Sequence, residues 1–150
     1  MRTLVDTNIL LRIVDPSNAS HHVAVNATTV LRRMSHKLVI VPQTIYEFWA
    51  VSTRSLQANG LGMTPAEADE LILEFCDVFC LLRDERTIFE RWQALVTSHQ
   101  IRGVNSYDVR LVAAMERHGI QNLLTLNPTD FRRFGSITVI DPNAVQVVNE

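Results

Sequence analysis

Four carboxylates are the side chains in this sequence best suited to chemistry. Asp6 follows Thr3-Leu4-Val5, and Glu47 lies beyond the run Leu38-Val39-Ile40-Val41-Pro42. Asp108 closes Asn105-Ser106-Tyr107-Asp108, and Asp130 comes after Leu123-Leu124-Thr125-Leu126-Asn127. Each stands just past an apolar run or inside a helix start. In an open parallel sheet the carboxyl ends of the strands form the ligand-binding edge, so acids distant in sequence can meet there. Such a cluster is unfavourable alone, because close like charges raise one another's pKa. Hard cations relieve the repulsion, and Mg²⁺ or Mn²⁺ prefers oxygen ligands. The chemistry suggested is metal-dependent hydrolysis of a phosphodiester.

Every one of these positions also has a structural reading. Asp6 in Asp6-Thr7-Asn8 fits a helix N-cap, with Thr7 and Asn8 as short polar groups able to hold the carboxylate or a metal-bound water. Glu47 lies about a turn inside its helix beside Ala50 and Val51, so it either faces solvent or leans inward toward a metal or arginine. Asp108 shares a face with Leu111, Val112 and Met115; with Asn105 as N-cap it would occupy the third helical position and close a capping box. In Asn127-Pro128-Thr129-Asp130, Asn127 reads as an N-cap, Pro128 as the first helical residue and Asp130 as a first-turn acid. Thr125 could orient its neighbours through its hydroxyl. The joint placement of the acids, rather than any one of them, carries the functional reading.

The elements that must position them alternate. Thr3–Val5 reads as a buried strand, followed by helices over Asn8–Val14 and Ser20–Ser35, the second with an apolar stripe of Val23, Ala27, Val30, Leu31 and Met34. Leu38–Val41 is the next strand, and Pro42 opens a helix carrying Ile45, Phe48, Trp49 and Ser52. Asn59-Gly60-Leu61-Gly62 breaks the chain, and Thr64-Pro65-Ala66-Glu67 starts a helix reaching about Phe75. A third strand is expected over Val78–Leu82, then a helix with Ile88, Trp92, Leu95 and Val96. Ser106–His118 forms another helix, ended by Gly119, and Leu123–Leu126 and Ile137–Ile140 complete the strands. Alternation of this kind argues for an α/β fold on a mainly parallel sheet.

At 150 residues, nearly half of them apolar, the chain fits one domain over 1–150 with a sizeable core. No apolar run approaches a membrane span and the first residues lack a secretion signal, so a soluble cytoplasmic protein is the expectation. Cys76 and Cys80, the only cysteines, could share a helical face, but no second pair completes a zinc site. The histidines, His21-His22 among them, lack ligand spacing. A net charge of −2 excludes the strong non-specific attraction of a basic protein for nucleic acid. Any such binding must use local arginines: Arg12, Arg54, Arg102, Arg110, Arg132 and Arg133 are available.

The ordered set Leu4-Val5-Asp6-Thr7-Asn8-Ile9-Leu10, Pro42-Gln43-Thr44-Ile45-Tyr46-Glu47, Tyr107-Asp108-Val109-Arg110-Leu111-Val112-Ala113-Ala114 and Leu124-Thr125-Leu126-Asn127-Pro128-Thr129-Asp130-Phe131 resembles the PIN-domain ribonuclease family, particularly its small VapC-type toxins. The resemblance spans nearly the whole chain. It implies a three-layer α/β/α domain with a mainly parallel central sheet, in which Asp6, Glu47 and Asp108 are the central metal-binding and catalytic acids. The family often carries a fourth acid two residues after the threonine, where this chain has Asn127. That substitution removes a charge; Asn127 still offers a neutral oxygen, and Asp130 can compensate directly or through water.

By the same resemblance the chain is an Mg²⁺- or Mn²⁺-dependent endoribonuclease, the toxin of a type II toxin–antitoxin pair. RNA is then the substrate, and a cognate antitoxin and a homodimeric mate are the partners. The region Ser20–Phe75 carries Ile45, Phe48, Trp49, Leu56, Leu61, Leu71, Ile72 and Phe75, a surplus that either packs internally or forms the dimer and antitoxin surfaces. Two other readings stand beside this one: a PIN-like RNA-processing nuclease without an antitoxin, and a catalytically silent α/β binding module. A haloacid-dehalogenase-type phosphatase is disfavoured because Asp6-Thr7-Asn8 lacks the second aspartate. A nicotinamide enzyme is disfavoured because no Gly-x-Gly-x-x-Gly follows the first strand.

Overall fold

In the computed structural model, which describes residues 1–146, the apolar runs become five short strands: β1 (Arg2–Val5), β2 (Lys37–Ile40), β3 (Cys80–Leu81), β4 (Asn122–Leu124) and β5 (Thr138–Ile140). Residues 147–150 of the expected 1–150 unit lie outside the described residues. The strands pair in the order β3-β2-β1-β4-β5, and all four pairings are parallel. Among the described residues six α-helices accompany them: α1 (Thr7–Ile13), α2 (His21–Arg33), α3 (Pro42–Ser52), α4 (Pro65–Val78), α5 (Thr87–Ser98) and α6 (Asn105–His118).

Successive strand residues point to opposite faces, so each run feeds two cores. Leu4, Val39, Leu123 and Val139 pack on one face with Ile88 of α5 and Val109, Val112 and Met115 of α6. Val5, Leu38, Ile40 and Leu124 pack on the other with Ile9, Ala27, Phe48 and Phe75 from α1 to α4. The result is three layers, α/β/α. This is why the strands read as continuous apolar runs rather than alternating ones. Truncating fully buried Leu4 or Leu123 to alanine would cost about 2–5 kcal/mol.

The chain leaves β1 toward β2 and β3, then returns to β1's other side with β4 and β5. The switch point therefore lies between β1 and β4, where open α/β sheets leave a crevice beyond the strand ends.

Several boundaries differ from expectation. Helix α4 runs on to Val78, and the third strand shrinks to Cys80–Leu81. Phe75 and Phe79 are both buried, and the Phe79 N–H donates to the Phe75 carbonyl at 2.7 Å, so core packing prolongs the helix. Cys76 is thus helical and exposed whereas Cys80 lies in the edge strand, and the two share no helical face. Helix α6 begins at Asn105, not after it: Val104 is already helical (φ −65°, ψ −20°), so Asn105 is no N-cap. Asp108 becomes the fourth helical residue and the capping box is absent. Gly119 does end the helix, at φ 68°, a conformation glycine adopts without strain. The Thr64 cap is present, its hydroxyl accepting from the Glu67 N–H at 3.2 Å. Of the surplus apolar residues, Phe48 and Phe75 are core, while Trp49 and Leu56 are exposed. No helix among the described residues is long and apolar enough to cross a membrane.

Candidate active site

Asp6 sits directly beyond β1, at the switch point. Its own N–H donates to the Leu124 carbonyl at 3.0 Å, extending the β1–β4 ladder by one step. Its carboxylate accepts from the Thr7 N–H at 2.7 Å, from the Thr125 hydroxyl at 2.8 Å and from Asn8 Nδ2 at 3.4 Å. The capping and site readings of Asp6 therefore coexist. Thr125 is fully buried, and its hydroxyl is saturated: while donating to Asp6, it accepts from the Asn127 N–H at 3.1 Å and Asn8 Nδ2 at 3.3 Å. Asn8 also accepts from the Leu126 N–H at 3.2 Å, stitching α1 to the segment after β4.

Glu47 reaches the same edge from α3. Thr7 donates its hydroxyl to Oε2 at 2.8 Å, and Gln43 Nε2 donates to Oε1 at 2.8 Å. Each oxygen has one donor, which fixes the plane of the carboxylate. Gln43, itself buried, also donates to the Tyr107 carbonyl at 2.8 Å and accepts from Arg110 Nη1 at 3.2 Å. Helices α3 and α6 are thereby tied together beside the acids.

Asp108 and Asp130 complete the group with less restraint. Among the described residues neither carboxylate receives a hydrogen bond. Asp130 ends a short 3₁₀ turn (Pro128–Asp130) and is exposed. The expected Asn127 cap is absent: the side chain bonds no turn N–H, and only its backbone N–H is anchored, on Thr125.

Electrostatics show that the acids feel one another. Burial pushes Asp6 up to about 6, against the Thr125 and Thr7 hydrogen bonds and reinforced by the charges of Glu47 and Asp108. Asp108 is also raised to about 6, first by partial burial, then by Asp130 and Glu47, with the Arg133 guanidinium opposing. All four acids are therefore electrostatic neighbours. Among the described residues, however, no three His, Cys, Asp or Glu side chains converge tightly enough to hold an ion by direct contact. Mg²⁺ usually keeps several waters and takes only one or two carboxylates directly, so this looser all-oxygen set fits it.

A sequence model of the PIN domain matches residues 3–136. The chain belongs to the PIN-domain family. This is a family of nucleases. No curated protein matches the PIN chain by sequence. Its fold is similar to VapBC2 from Rickettsia felis bound to a promoter DNA fragment (TM-score 0.71, 14% identity, 94% of this chain and 98% of that one). It is also similar to VapBC-1 from nontypeable Haemophilus influenzae (TM-score 0.69, 16% identity, 95% and 99%). A third similar structure is Mycobacterium tuberculosis VapC20, a Sarcin-Ricin loop cleaving toxin (TM-score 0.60, 17% identity, 81% and 86%).

In this PIN fold the sequence reading overlooked Gln43. Its signal was its place four residues before Glu47, polar on a face that turns inward. Thr7 was expected to support Asp6; its N–H does so, but its hydroxyl serves Glu47. Of the candidate arginines, Arg110 pairs with Asp84 at 3.3 Å and Arg133, its guanidinium 5.5 Å from the Phe134 ring centroid, is near enough for its charge to act on Asp108, whereas Arg54 turns away to the Asn59 carbonyl at 3.4 Å.

Proposed function

We propose that this PIN chain is a VapC-type toxin, an endoribonuclease that hydrolyses RNA phosphodiester bonds with Mg²⁺ or Mn²⁺ and is held in check by a cognate antitoxin. The observation carrying this reading is the meeting of Asp6, Glu47, Asp108 and Asp130, from four separate elements, at the β1–β4 switch point with two pKa values raised to about 6. Repulsion of that kind is tolerated where a cation is to be bound.

Asp6, Glu47 and Asp108 would hold the ion, one or two of them directly and the rest through its waters, with Asp130 and Asn127 contributing directly or through water. A divalent ion supplies a Lewis acid that lowers the pKa of a bound water and offsets charge building on the phosphoryl oxygens. Thr125, Thr7 and Gln43 hold the Asp6 and Glu47 carboxylates in place before substrate arrives, so no reorganisation is needed during reaction. Asp108, partly exposed and ionised at neutral pH, can take the proton as water oxygen bonds to phosphorus, and that proton goes on to the ester oxygen whose bond breaks. Arg133 beside Asp108 suits a flanking phosphate, which positions the strand without reading its sequence.

The apolar side chains left exposed on α3 and in the short 3₁₀ helix that follows it, Trp49 and Leu56, favour a homodimer, which light scattering at micromolar concentration should detect. The decisive test of the activity is incubation of total RNA with the purified protein and Mg²⁺ or Mn²⁺, followed by end mapping. Discrete new ends that vanish with chelator and with Asp6→Asn support it. Absence of both cleavage and metal binding would favour the silent binding module instead.

A further inference from the structure

A cavity of about 340 Å³ opens between the start of α5 and the start of α6. Ile88, Phe89, Trp92 and Tyr107 form its walls, with Asp84 and Arg110 at the rim. Two of these rings are left facing solvent: Phe89 is 60% exposed and Tyr107 is 65% exposed. The third is fixed, since Trp92 Nε1 donates to the Ser106 carbonyl at 2.8 Å, and Phe89 lies 6.2 Å from it at an interplanar angle of 31°. Nothing in the carboxylate edge explains three aromatic rings around an open cavity.

The cavity is wired to that edge. Tyr107 immediately precedes Asp108 on α6, and its carbonyl is held by the Gln43 amide that also holds Glu47. Arg110 runs from the rim to the same Gln43. The rim's acids are offset: Asp84 pairs with Arg110 at 3.3 Å and Glu85 pairs with Arg117, while Arg86 adds a further guanidinium.

We propose that this cavity seats one unpaired nucleobase of the substrate, stacked on Phe89 and Tyr107, beside the phosphate held at the carboxylates. The proposal rests on the ribonuclease reading above. Flat π-faces are what aromatic walls bind without regard to sequence, and the exposed Arg86 guanidinium suits a phosphate beside such a base. A protein side chain could fill the same rings but would bring no phosphate to Arg86, the lining guanidinium not already engaged by Asp84 or Gln43. Seating a base here would select single-stranded or looped RNA, since a paired base keeps both faces in its own stack.

The test uses short single-stranded RNAs spanning the mapped cleavage site, with 2-aminopurine at successive positions, bound to the full-length Asp6→Asn protein. Fluorescence quenching is expected at one position flanking the scissile phosphate. Phe89→Ala and Tyr107→Ala, both at exposed positions and checked by thermal melts, should abolish that quenching and weaken RNA binding about ten-fold. Introduced into the active protein, they should raise KM with kcat nearly unchanged. An RNA made abasic at that position should bind parent and variants equally. A parent that cleaves RNA but quenches no position overturns the subsite alone. Quenching that survives both substitutions also overturns it and leaves the cavity to a protein partner. A parent that neither cleaves nor binds RNA overturns the nuclease reading, and the subsite with it.

Discussion

The acidic edge has two halves held in different ways. On the β1 side, Asp6 and Glu47 are locked by Thr7, Asn8, Gln43 and Thr125, every donor placed by the packing of α1, α3 and β4. On the α6 side, Asp108 and Asp130 are set by helix and turn position alone, with no hydrogen bond to either carboxylate among the described residues. Both halves carry a raised pKa, yet for different leading neighbours: Asp6 is desolvated against its own hydrogen bonds, and Asp108 is partly desolvated and repelled by Asp130. The lesson is a division of labour. A pre-set half fixes where charge sits, and an unrestrained half can adjust to an ion, a water or a phosphate.

The largest expected effects come from removing a charge on either side. Asp6→Asn and Asp108→Asn should each lower RNA cleavage by about 10²–10³ or more while keeping the fold. Their stabilities should diverge. The folded pKa of Asp6 lies near 6 against an ordinary 3.8, so as pH rises the unfolded chain loses its proton first. Stability of the metal-free parent should therefore fall between about pH 4 and pH 6 and stay lower above it, by up to about 3 kcal/mol for Asp6 at 1.36 kcal/mol per unit. Asp6→Asn should flatten that loss in chelator-treated urea melts, and Asp108→Asn, raised to the same value but partly exposed and so screened by solvent, should flatten it less. Equal flattening would erase the difference between the halves, as would full cleavage by either variant.

A smaller effect isolates the restraint itself. Thr125→Val keeps shape but removes the hydroxyl that Asp6 accepts from and that Asn8 and Asn127 donate to. It should cost about 1.5–3 kcal/mol, the range for hydrogen bonds to charged groups. Without that donor Asp6 should titrate higher still, and the acid limb of the cleavage profile should move to higher pH. An unmoved limb with lost stability would make Thr125 structural only.

This contrast also marks what was legible in the sequence. The strands were readable because both faces are buried, so apolar runs announced them, and Pro42, Thr64 and Gly119 marked helix ends through local chemistry. Asp6 and Glu47 were visible as polar residues just past such runs. What escaped was tertiary. Gln43 matters through Tyr107 and Arg110, far away in sequence, and the length of α4 was set by Phe75 and Phe79 entering the core. Asn105 looked like a cap by type, but the backbone at Val104 had already turned helical.

The smallest effects belong to the fourth position. Asn127 is anchored through its backbone to Thr125, the residue that holds Asp6, so a carboxylate there would stand near the pre-set half. Asn127→Asp should add a charge that only a cation can offset, strengthening a second, weaker Mn²⁺ event by several-fold in a calorimetric titration while slightly destabilising the metal-free protein. Asp130 is the converse. Exposed and without a capping bond from its carboxylate, it should be replaceable by alanine with little change in melting temperature. Yet Asp130 is the strongest charge acting on Asp108, so Asp130→Ala should lower the Asp108 pKa, readable by carboxyl NMR titration. If Asp130 also serves the metal, the same variant should weaken the second Mn²⁺ event although Asp108 ionises more easily. Weaker binding despite a lower pKa separates ligation from mere repulsion. Unchanged Mn²⁺ binding in both variants would remove Asn127 and Asp130 from the site and leave its adjustable half to Asp108 alone.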